Sequence, residues 1–145
     1  LGVYDKKLLE TFSEVSKNLH MEHVLIVHGD DGLDEITITG STTISELKNY
    51  KINQYKISPK DFGLSTADFS EISAQTPEES LLLVREAFAG EQSAIQDMIA
   101  LNAGAGLYVA RKTESIADGV ELAFDLMNSG KAADKLAAYV RVSNS

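Results

Sequence analysis

Cysteine is absent from the 145 residues, which excludes thiol nucleophiles, disulfides and cysteine-based zinc sites and is compatible with a reducing compartment. Basic residues are scarce: lysine and arginine total 13 against 22 aspartates and glutamates, for a net charge of −9. That charge repels a polyphosphate backbone and no basic stripe offsets it, so nucleic acid is not expected as a partner. No apolar run reaches the roughly 18 residues that cross a bilayer, and no signal peptide precedes the first helical pattern. Membrane association is therefore not expected, and the cytoplasm is the expected location. Internal repeats, low-complexity segments and a convincing linker are missing as well. So is an initiating methionine: LGVYDKK reads like the end of a loop, and the chain is expected to be part of a longer polypeptide. What remains is an ordinary globular composition, 43% apolar and 24% charged, of a length that suits one domain over residues 1–145.

Apolar residues Leu8, Leu9, Phe12, Val15 and Leu19 recur every three or four positions, which predicts a helix over Asp5–His20 that packs on a neighbour, with Asp5 as its cap. VLIVH, residues 24–28, is an unbroken aliphatic run and predicts a strand buried on both faces, as in a parallel sheet covered by helices. Ile36, Ile38, Thr42 and Ile44 alternate around Gly40-Ser41 and predict a hairpin-like pair; KINQYKI, residues 51–57, predicts another strand. Thr76-Pro77-Glu78-Glu79 combines an N-cap, a proline at the first helical position and a glutamate three residues after the cap, so a helix runs to about Ala89. Helices are expected over Ser93–Arg111, from Ser115 to a stop at Gly130, and over Lys131–Val140. The expected class is α/β, with a partial, mainly parallel central sheet covered by helices, a hairpin-like strand pair and a C-terminal run of helices.

HGDDGLDEITITG, residues 28–40, crowds Asp30, Asp31, Asp34 and Glu35 at the end of the VLIVH strand. Ligands in open α/β sheets gather beyond the carboxyl ends of parallel strands, and carboxylates crowded there need a cation. Hard oxygen donors without cysteine or clustered histidine favour Mg²⁺. The competing reading is a hydrated loop that caps the strand. An EF-hand is excluded by the spacing of Asp30, Asp31 and Asp34.

HGDDGLDEITITG, then TTISEL and YKISPKDFGL, closely resembles the C-terminal half of anthranilate phosphoribosyltransferase of tryptophan biosynthesis. The helical stretch from LLVREAFAGEQ to NSGKAADKL is similar to that family's terminal helices, and LGVYDKKLLETFSEV to the segment that re-enters its α/β domain. The resemblance implies transfer of phosphoribosyl from phosphoribosyl pyrophosphate to the amine of anthranilate. It implies further that Asp34 and Glu35 hold the Mg²⁺ accompanying the pyrophosphate, with Gly32 letting the backbone turn, while Asp30 and Asp31 have no matched role and are read as solvated or as indirect supports. The family's glycine-rich pyrophosphate loop, its Lys-His-Gly-Asn segment and the arginine for the anthranilate carboxylate all lie upstream of LGVYDKK. The small N-terminal helical domain through which the family forms its homodimer is upstream too.

No substitute for those groups is visible. Gly29, Gly32 and Gly40 make no phosphate loop followed by a helix, and NAGAG, residues 102–106, reads as tight helix packing. His20 and His23 read as surface residues, and His28 as a hydrogen-bonded structural group. Arg85, Arg111 and Arg141 read as helix-surface charges. The piece alone is expected to be inactive and to self-associate through an exposed sheet edge. A non-catalytic acidic binding module is a second reading. A pyrimidine-nucleoside phosphorylase relative is a third, against which the GLDE block argues.

Overall fold

In the computed structural model, which describes residues 1–144, three strands and five helices form one packed unit. Strands β1 (His23–Gly29), β2 (Thr42–Lys48) and β3 (Lys51–Ile57) make a sheet in the order β1-β2-β3, and both pairings are antiparallel. The mainly parallel sheet expected from VLIVH is thus overturned. Burial on both faces reports the number of layers, not strand direction. A parallel connection needs a crossover, usually helical, whereas residues 30–41 join β1 to β2 without a helix. Asn49 and Tyr50, at φ 51° and 61°, make the two-residue turn between β2 and β3, a left-handed pair whose twist suits an antiparallel hairpin. The parallel element that does exist is a single bridge, Gly2 to Val27, where Leu1–Val3 lies along the outer edge of β1.

The hairpin expected around Gly40-Ser41 does not form either. Residues 36–38 are not in a strand although Ile36 and Ile38 are buried, because side chains and loops satisfy their backbone. Thr37 N–H donates to Thr42 Oγ1 at 3.0 Å, and the Ile38 carbonyl accepts from Ala67 N–H at 3.1 Å.

Helix α1 (Leu8–Asn18) covers one face of the sheet, and α3 (Ala94–Val109) with α4 (Ile116–Asn128) covers the other. The α1 face of the core joins Leu9 and Val3 to Val24, Ile26 and Leu47. The larger cluster joins Leu25, Val27 and Ile44 to Ala100, Leu101, Val120 and Ala123. Each fully buried aliphatic side chain contributes about 1.5–3 kcal/mol. The face α1 buries carries Leu9, Ser13 and Ser16, and Ser13 Oγ donates to Ser45 Oγ at 2.7 Å. Of the stripe singled out by periodicity, Leu9 and Leu8 do pack on the core, but Phe12, Val15 and Leu19 turn outward at 37%, 48% and 69% exposed.

Helices α2 (Pro77–Phe88), α3 and α4 start where expected. Thr76, Ser93 and Ser115 each accept from the backbone N–H three residues on, satisfying a donor the first helical turn leaves free. Gly130, at φ 78°, separates α4 from α5 (Lys131–Ser143). The glycines of α3 and α4 act as expected of NAGAG. A Cβ on Gly104 would lie 2.5 Å from Val120 N, and one on Gly119 would strike the Gly104 carbonyl, so the two helix backbones touch.

His23 is a correction to the surface reading. Only 9% exposed, its Nε2 lies 2.8 Å from Glu46 Oε1, and its ring meets Tyr108 edge-on at 4.8 Å. Tyr108 OH donates to Glu46 Oε1 at 2.8 Å and Tyr55 OH to Oε2 at 3.0 Å, so Glu46 ties β1, β2 and β3 to the end of α3. Lys48 closes the group, donating to Tyr108 OH at 2.9 Å. Burial works to raise the Glu46 pKa, but donors from Tyr108, His23 and Tyr55 outweigh it and hold the carboxyl below its ordinary value of 4.5. Burial, then the Glu46 charge, pushes the Tyr55 hydroxyl up.

Candidate metal site

The acidic turn begins where β1 ends. Gly29 N–H donates to the Leu33 carbonyl at 2.8 Å, and Gly32 N–H returns to the Gly29 carbonyl at 2.9 Å. Gly32 adopts φ 95°, which a side chain would strain, so it reverses the chain as the sequence requires. A Cβ on Gly29 would collide with Asp31 Oδ1.

The four acids have separate fates. Asp30 pairs with Lys56 at 2.7 Å across the exposed end of the sheet. Asp31 turns inward, where it accepts from Thr37 Oγ1 and Thr39 Oγ1, both at 2.5 Å, and from Leu33 N–H at 3.0 Å. Burial works to raise its pKa, yet these donors prevail and the carboxyl lies below its ordinary value. Asp31 is therefore the tie of the loop, although its side chain remains exposed to solvent. Asp34 and Glu35 stand at the outer corner, exposed, and no side chain of the described residues donates to or pairs with either carboxylate. Burial, and then the neighbouring Asp34 charge, raises the Glu35 pKa, while the amino group of Leu1 pulls it down. Among the described residues no side-chain cation pairs with either carboxylate.

Two contacts from distant parts of the chain fix this corner. Gly2 is pressed against the Asp34 backbone, where a Cβ would overlap the Asp34 carbonyl. On the other side Asn102 of α3 accepts from Ile36 N–H at 2.9 Å and donates to the Ile36 carbonyl at 2.8 Å, with a further bond to the Met98 carbonyl at 3.0 Å. His28 faces away from the acids, its Nδ1 2.9 Å from the Val3 carbonyl, as a structural group. Sequence reasoning missed Asn102, Thr37, Thr39 and Gly2. The available signal was Asn102 itself, an amide in the otherwise apolar helix segment IALNAGAGL, where a half-buried amide needs partners.

An apolar cleft of about 430 Å³ runs beside β1 toward the corner, between Leu1, Leu25 and Val27 on one wall and Asn102, Ala105 and Val109 on the other. Its walls offer no phosphate cradle. Among the described residues no group of three or more His, Cys, Asp or Glu converges on one point. Two adjacent carboxylates do fit Mg²⁺, which keeps several waters and is commonly held by one or two carboxylates together with substrate phosphates. They do not make a site for zinc, which needs three or four protein ligands.

Residues 1–133 match a family described as glycosyl transferase family, a/b domain. The anthranilate phosphoribosyltransferase of Alkalilimnicola ehrlichii is 45% identical over 141 residues, 97% of this chain and 42% of that protein. That of Halorhodospira halophila is 43% identical over 140 residues, 97% of this chain and 41% of that protein. Among solved structures, the anthranilate phosphoribosyltransferase of Thermus thermophilus superposes with a TM-score of 0.90 at 34% identity, covering 100% of this chain and 43% of that one. The Saccharomyces cerevisiae enzyme in complex with PRPP and Mg superposes at 0.87 with 25% identity, covering 100% of this chain and 42% of that one. The chain spans less than half the length of the relatives it matches.

Proposed function

Because the chain belongs to the glycosyl transferase family through its α/β domain, we propose that it is the C-terminal α/β portion of an anthranilate phosphoribosyltransferase. The complete enzyme would move phosphoribosyl from phosphoribosyl pyrophosphate to the amine of anthranilate, releasing pyrophosphate, in cytoplasmic tryptophan biosynthesis. No helix of the described residues is long and apolar enough to cross a membrane.

The observation that carries the reading is the Asp34-Glu35 pair: adjacent, exposed and, among the described residues, without a side-chain cation, on a corner anchored from Gly2, Asp31 and Asn102. Both carboxylates can accept and neither has a competing side-chain donor among the described residues, so together they would hold Mg²⁺ accompanying the diphosphate. When bound, the ion stabilises the charge that grows on the leaving diphosphate as the C1–O bond breaks. Asp31 supports them from inside the loop, and Lys56 neutralises Asp30 so that a third charge does not add to the repulsion at the corner. The chain supplies this ion-holding corner but neither a phosphate cradle nor an anthranilate clamp, which are left to the residues that longer relatives possess.

The test uses this domain within a full-length enzyme. Asp34→Asn combined with Glu35→Gln is expected to lower kcat/KM by about a thousandfold, as loss of transition-state charge stabilisation does, and to raise the Mg²⁺ concentration the reaction requires. Undiminished rate and Mg²⁺ dependence in that variant would sink the reading. So would turnover by the 145-residue chain alone.

On its own the chain is also expected to self-associate. The sheet edge at β3 is open, but Lys51 and Lys56 on it discourage strand pairing, so the exposed stripe of Phe12, Val15 and Leu19 is the stronger driving surface. Sedimentation at increasing concentration should show a rising average mass that Phe12→Ser with Leu19→Ser abolishes; a monomer throughout would refute this.

A further inference from the structure

We infer that Asn102 is a positioning residue for the ion-holding pair, acting through the backbone of Ile36; the inference rests on the assignment of Asp34 and Glu35 to Mg²⁺. Its carboxamide grips Ile36 at both backbone polar groups, accepting from N–H at 2.9 Å and donating to the carbonyl at 2.8 Å. One side chain thereby does for Ile36 what a neighbouring strand would do. The residue so held is next to Glu35, and its own side chain is only 2% exposed in the main core. With both peptide groups of Ile36 fixed, the direction in which the chain leaves toward Glu35 is fixed as well.

Asn102 is in turn held firmly. Its amide donates a second time, to the Met98 carbonyl at 3.0 Å, which fixes the side chain against its own helix. Two residues further along α3, Gly104 lies in backbone contact with α4. The acidic corner is therefore referenced to the packed helix pair, not to the loop that carries it. Such ordering of ligands by groups that never touch the metal is worth about 10–100-fold in metal affinity.

The experiment compares Asn102→Leu and Asn102→Ala in a full-length enzyme carrying this domain. The leucine variant keeps the volume and removes both bonds; the alanine variant leaves room for water to satisfy Ile36 and so preserves the fold. Val120→Ala serves as a control that loosens the same helix pair without touching Ile36. Both Asn102 variants are expected to raise the Mg²⁺ concentration for half-maximal rate by about tenfold or more, with the KM for anthranilate little changed and the Ile36 amide exchanging faster. Val120→Ala should lower the melting temperature and leave the Mg²⁺ dependence alone. If the Asn102 variants lose stability but keep the wild-type Mg²⁺ dependence, while Asp34→Asn with Glu35→Gln shifts it, this inference falls alone. If that double variant shifts nothing, the metal assignment falls and takes this inference with it.

Discussion

Gly104→Val is expected to destabilise the domain by more than about 3 kcal/mol. The first atom of the new side chain would lie 2.5 Å from Val120 N and 2.8 Å from Gly119 C, both backbone atoms of α4. A side-chain neighbour can rotate away, but a helix backbone can only be displaced whole. Moving α4 outward would unpack Val120, Ala123 and Met127, all of which are buried against the main core. A domain of this size has a net stability of about 5–15 kcal/mol, so the variant is expected to be largely unfolded or molten. Gly106, two residues on, is the control. A Cβ there meets nothing within 4 Å, and glycine in a helix interior costs roughly 0.5–1 kcal/mol against alanine, so Gly106→Ala should stabilise by about that amount. Urea denaturation followed by circular dichroism reads both. A Gly104→Val midpoint equal to wild type would show that α3 and α4 do not touch through their backbones.

Glu46→Ala should also be damaging, at about 1–3 kcal/mol for each buried donor left without its acceptor. The substitution strands His23, Tyr108 and Tyr55 together, and with them the link from the sheet to the end of α3. Glu46→Gln separates shape from charge, and pH separates them again. Because the folded-state pKa of Glu46 lies below its ordinary value of 4.5, the stability its charge contributes is present above that value. That contribution is lost as pH falls through the folded pKa. The wild type should therefore exceed Glu46→Gln in stability at neutral pH, and the gap should close in acid. A gap that stays constant from neutral to strongly acidic pH would mean that the charge on Glu46 contributes nothing.

Much of this molecule was legible where the signal is local. The caps at Thr76, Ser93 and Ser115 declare helix starts because a short oxygen beside free N–H groups has one good use. Within NAGAG the tight packing falls on Gly104 against α4, while Gly106 faces open space. What failed depends on contacts between distant segments. Strand direction is decided by how residues 30–41 run back, and a string of polar and glycine residues carries no sign of that. The α1 stripe misled in part: Leu8 and Leu9 face the core, but Phe12, Val15 and Leu19 keep helical spacing on the exposed side, while Ser13 and Ser16 took the inner position. His23 misled because its partners, Glu46 and Tyr108, lie far along the chain. Asn102 was missed for the same reason in miniature: its chemistry looks generic until the partner groups are named.

The seating of Gly2 beneath Asp34 gives residues 1–3 mechanical leverage over the carboxylates. Leu1 and Val3 are zipped to β1 on either side of that glycine, so Gly2→Ala would push on the Asp34 backbone directly, without travelling through the helices.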